Sequence, residues 1–99
     1  MAAQIVVLAK RKGPGWECQV TVSESGSRTT YTVQVEEAYR DRLAGKAVPV
    51  ERLVEKSFEF LLAREPKESI LRSFNLPLIG RYFPEYEKEI RRSLNPPTQ

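Results

Sequence analysis

The sequence predicts an α+β fold: a three-stranded antiparallel meander followed by four or five helical segments packed on one sheet face. Three observations carry this reading. After an apolar run at 4–10, apolar and polar residues alternate with a period of two over 16–23 and 29–35. From Glu36 onward the apolar positions recur at helical spacing. Two glycine-containing stretches, Lys12-Gly13-Pro14-Gly15 and Glu24-Ser25-Gly26-Ser27, cut the alternating part into three pieces. Ninety-nine residues suit one domain. It is expected over residues 1–95, with a frayed tail at 96–99.

The first strand is expected at 4–10. Ile5, Val7 and Ala9 alternate with Val6 and Leu8, so both faces are apolar, as in a strand covered on both sides or lying inside a sheet. The second, 16–23, turns Trp16, Cys18, Val20 and Val22 one way and Glu17, Gln19, Thr21 and Ser23 the other. The third, 29–35, points Tyr31, Val33 and Val35 inward and Thr30, Thr32 and Gln34 outward. Gly26 supplies the left-handed residue of the hairpin between them.

Helices follow at 36–44, 50–64, 67–74 and 84–94. Gly45 ends the first. The second has the clearest pattern in the chain: Val50, Leu53, Val54, Ser57, Phe58, Leu61 and Leu62 form one stripe, with Pro49 where a missing N–H costs nothing. Pro66 separates it from 67–74, which carries Ile70, Leu71 and Phe74 on one side. Leu78–Phe83 is too short to assign. In the last helix Tyr86, Ile90 and Leu94 form a narrow stripe, with Phe83 ahead of it as a hydrophobic staple.

Composition excludes several chemistries. The chain has no histidine, one cysteine and one methionine. It therefore lacks an imidazole base, a Ser-His-Asp or Cys-His pair, a histidine metal site and an intramolecular disulfide. The carboxylates Glu65/Glu68 and Glu85/Glu89 read as helix surface, Cys18 as a small buried hydrophobe, and Gly13-Pro14-Gly15 as a turn without phosphate-loop spacing. A net charge of +3 is spread along the chain, the densest run being Lys10-Arg11-Lys12. The apolar run near the amino terminus lacks a preceding basic region, and no stretch spans a bilayer. The expectation is a soluble, cytoplasmic, non-enzymatic protein with neither cofactor nor metal.

Between Phe74 and Tyr86 apolar side chains exceed what a short helical turn needs, and Phe60 falls outside the stripe of 50–64. Either this segment wraps over Phe60 or a second subunit covers it. The surface expected to interact comprises Phe60, Phe74, Leu78, Ile79, Tyr82, Phe83 and Tyr86. The function expected first is a non-catalytic interaction module that self-associates as a homodimer or binds another protein.

The succession Thr30-Tyr31-Thr32-Val33-Gln34-Val35, then 36–44, then 50–64 resembles the ribbon-helix-helix family of dimeric repressors and antitoxins. The resemblance covers about a third of the chain. It implies a strand that pairs with its two-fold mate and lies in the major groove, a dimer core built by the helix pair, and base contacts from Thr30, Thr32 and Gln34. Nucleic acid is the partner under that alternative.

Overall fold

The computed structural model describes residues 3–94, so the tail expected to fray at 96–99 lies outside it. All three predicted strands form and run longer than their alternation suggested: β1 (Gln4–Lys12), β2 (Gly15–Glu24) and β3 (Ser27–Glu36). The turns set the register. Ser25 and Gly26 both have positive φ (52° and 77°), as a two-residue type I′ hairpin requires, and Glu24 pairs with Ser27. Between β1 and β2, Gly13 takes φ 58° ahead of Pro14, and Lys12 pairs with Gly15. Gly15 is needed for closeness: a Cβ there would run into the Val35 carbonyl and Glu36 Cα of β3.

The sheet has four strands and is mixed, not a three-stranded antiparallel meander. Its order is β1-β2-β3-β4, with β4 (Ser73–Asn75) parallel to β3. A parallel neighbour needs a long crossover. The crossover contains α1 (Glu37–Leu43), α2 (Val50–Leu62) and a single 3₁₀ turn at Lys67–Ser69. The helix expected at 67–74 is thus replaced by that turn and an extended segment. Ser73-Phe74-Asn75-Leu76 alternates polar and apolar, and Pro77 disfavours helix at the residue before it. Tertiary bonds complete the strand, from the Thr32 N–H to Arg72 O (2.7 Å) and from the Leu76 N–H to Gln34 O (2.9 Å).

The remaining helices differ from expectation only at their ends. α1 stops where Gly45, at φ 91°, places its N–H on the Arg40 and Asp41 carbonyls. α2 is two residues shorter than 50–64. Leu78–Tyr82 forms a short helix, α3, and α4 runs Tyr86–Leu94 rather than from Pro84.

One sheet face carries the core. Rows Val7–Val20–Tyr31 and Ala9–Cys18–Val33–Phe74 lie across it, and the α2 stripe packs above them. Phe58 is fully buried at the centre, 5.0 Å from the Tyr31 ring and 6.2 Å from Phe74. Trp16 sits at the end of this face, partly buried, with the Arg11 and Arg40 guanidiniums 4.9 and 5.0 Å from its ring. No element among the described residues covers the opposite face, whose rows are Val6–Thr21–Thr30, Leu8–Gln19–Thr32–Ser73 and Lys10–Glu17–Gln34–Asn75. β1 is neither central nor covered on both sides: it is an edge strand, with Val6 47% and Leu8 68% exposed.

Candidate interaction groove

Phe60 shows how the surplus of apolar residues is accommodated. It lies off the α2 stripe yet is buried, because the chain after Pro77 folds back over it. Phe83 meets its ring edge-on at 5.8 Å and Tyr86 at 5.3 Å. Arg64 lies over the same ring at 3.6 Å and pairs with Glu85, tying the end of α2 to the start of α4. Tyr86 is locked from below: its hydroxyl is 2.6 Å from Ser57 Oγ, which in turn donates to Leu53 O. On its far side α4 docks on α1, where the Tyr39 hydroxyl and Arg42 both donate to Glu87. Arg42 and Tyr39 hold the Glu87 carboxyl below the usual carboxylate range. Wrapping within one chain, rather than a second subunit, therefore covers Phe60.

The wrap is incomplete. Between the end of α2, the segment 69–74 and α3 remains a hollow of about 210 Å3, with Leu61, Ile70, Phe74 and Ile79 in its wall and Leu78 and Phe83 beside them. Leu71 and Tyr82 line it too, and are 52% and 67% exposed. The surface expected from sequence splits accordingly. Phe74, Leu78, Ile79, Tyr82 and Phe83 are brought together around the hollow, while Phe60 and Tyr86 are buried beneath the fold-back. Leu71 was missed because a helix over 67–74 directs it toward the core, whereas the extended chain turns it outward.

Polar chemistry around the hollow is sparse. Glu65 and Ser69 reach its lining, but every buried polar side-chain atom among the described residues already has a partner. Away from the hollow, Glu68 pairs with Lys67 at 2.7 Å and Glu89 with Arg92 at 3.8 Å. Cys18 is fully buried in the sheet, and burial pushes its thiol up to about 11, so at neutral pH it remains a protonated core residue. No group of three or more metal-ligating residues converges among the described residues, and no helix among them is long and apolar enough to cross a membrane.

Thr30, Thr32 and Gln34 lie on the uncovered sheet face, on three successive rows. Thr32 Oγ1 accepts from Gln19, and Gln34 donates to Glu17. Gln34 and Lys12 hold that Glu17 carboxyl below its ordinary range, placing an ionised acid among the three residues. β3 is not a free edge at Thr32–Gln34: β2 pairs with one side and β4 with the other, so these residues have no open backbone for a two-fold mate.

Comparison with protein-family models, curated proteins and solved structures finds no match to this chain.

Proposed function

We propose that this protein is a small non-catalytic interaction module whose binding site is the groove beside α3, and that a partner protein inserts one apolar anchor side chain there. The observation carrying this reading is the pairing of a preformed apolar hollow with exposed Leu71 and Tyr82 at its rim. Its volume suits one large side chain and falls below the roughly 300–1,000 Å3 of sites that enclose small molecules. Protein interfaces concentrate their energy in such desolvated pockets, and tyrosine is enriched at them. The satisfied polar interior and the absence of histidine from the sequence favour recognition over turnover.

The test is proximity capture in the native cell with the intact chain and with the double variant Leu71→Asp/Tyr82→Asp. Both positions are exposed, so the fold should persist, which circular dichroism checks. The expected result is one or more proteins retained by the unaltered chain and lost with the variant. Identical capture by both chains would remove the groove as the binding site.

A further inference from the structure

The geometry points to a second interaction surface, independent of the groove: we propose that the free edge of β1 pairs antiparallel with β1 of a second copy, joining two sheets across a two-fold axis at Val7. The backbone supplies the first argument. In a two-residue hairpin the closing pair exchanges hydrogen bonds, and bonded pairs then alternate along the ladder. Counting from Lys12–Gly15, the even-numbered residues of β1 bond β2, while Ile5, Val7 and Ala9 turn their N–H and C=O groups outward. Proteins usually blunt such an edge with proline, a bulge or a central charge. β1 has none of these: its ladder to β2 runs unbroken from Gln4–Ser23 to Lys12–Gly15, and its charges occupy only the last three positions.

The side chains supply the second argument. The outer face of β2 and β3 is polar, whereas β1 places Val6 and Leu8 there, 47% and 68% exposed. Antiparallel pairing about Val7 sets Val6 of each copy against Leu8 of the other, in the close non-hydrogen-bonded position. It sets Ile5 against Ala9 on the inner face.

Charge selects the orientation. Parallel pairing would line up the two Lys10-Arg11-Lys12 runs, whereas the antiparallel register sends them to opposite ends and places Lys10 against Gln4. Alongside β1, an open notch of about 420 Å3 is bordered by Ile5, Val7 and, from α2, Glu51, Arg52 and Glu55. None of these three charged side chains forms an ion pair among the described residues. A two-fold axis brings both notches together, so that Arg52 of one copy is answered by the carboxylates of its twin.

Sedimentation equilibrium of the full chain across the micromolar range is the test. The unaltered chain is expected to dimerise, and Val6→Thr/Leu8→Thr, which keeps strand propensity, to raise the dissociation constant roughly a hundredfold. Leu71→Asp/Tyr82→Asp should leave the dimer unchanged, which separates this proposal from the groove reading. Amide exchange of the unaltered chain supplies a readout that needs no variant. The N–H groups of Ile5, Val7 and Ala9 should gain protection as concentration rises. A monomer at every concentration overturns the proposal, as does a dimer lost with the Leu71/Tyr82 pair and kept with the Val6/Leu8 pair, or fast exchange at all three amides.

Discussion

β1 and the segment from Ser73 to Tyr86 are both richer in apolar side chains than a single buried face requires. In the C-terminal segment most of the excess turns inward, with Tyr82 left at the surface: Phe74 joins the sheet row, Ile79 of α3 is buried, and Phe83 and Tyr86 stack on Phe60. In β1 the excess stays outside, because a strand has two faces and only one meets helices. Every helix among the described residues contributes side chains to the core on the Cys18–Val33 side of the sheet. The contrast shows that local apolar content does not decide burial. A chain interrupted at Pro66, Pro77 and Pro84 has enough joints to fold back over its own surplus. A nine-residue strand without a break directs alternate side chains to opposite sides whatever their chemistry.

Stability measurements on point variants test this contrast directly. The largest effect belongs to Phe60→Ala, expected to cost about 3–5 kcal/mol, the same range as Phe58→Ala at the centre of the α2 stripe. Denaturant melts of the two variants check it, and a Phe60→Ala cost under about 1 kcal/mol would mean that the fold-back is not part of the core. Tyr86→Phe is next. It removes only the hydroxyl bonded to Ser57, which keeps its bond to Leu53 O, for a loss of about 1 kcal/mol in the same assay.

Glu87→Gln tests the outer anchor of the segment through pH. Because the Glu87 carboxyl titrates lower when folded, its contribution is complete above its ordinary value near 4.5 and is lost as pH falls through the lowered folded value. The variant should therefore be less stable at neutral pH and show a shallower acid-side decline, the gap between the two proteins closing as pH drops. The smallest effect belongs to β1. Val6→Thr and Leu8→Thr, measured at a dilution where the chain is monomeric, should each stay within about 0.5 kcal/mol. A core-sized loss there would show that the outer face of β1 is buried within the monomer.

Much of the fold was legible because its signals are local. Alternation in 16–23 and 29–35 depends only on the pleat, and the α2 stripe only on helical spacing, so both survive in the structure nearly to the residue. The misreading of 67–74 has a local cause too: Ile70, Leu71 and Phe74 fit a helical face, while Phe74 and Leu76 fit a strand, and the segment is too short for periodicity to choose. The open backbone of β3 chose, since only an extended chain can accept from the Thr32 N–H and donate to Gln34 O. Of the candidate surface, the apolar clustering around Leu78–Phe83 was visible, but the outward turn of Leu71 followed from that strand and was not.

Repeats within a dozen residues were enough to specify the three-strand hairpin series, its turn geometry, the inward faces of β2 and β3, and the helix that roofs them. Composition also excluded histidine chemistry outright. Which edge of the sheet stays open, which apolar side chains close over Phe60 and which stay exposed were decided only in three dimensions. Those outcomes depend on contacts between residues tens of positions apart, where backbone hydrogen bonds and available surface choose among local conformations of nearly equal propensity.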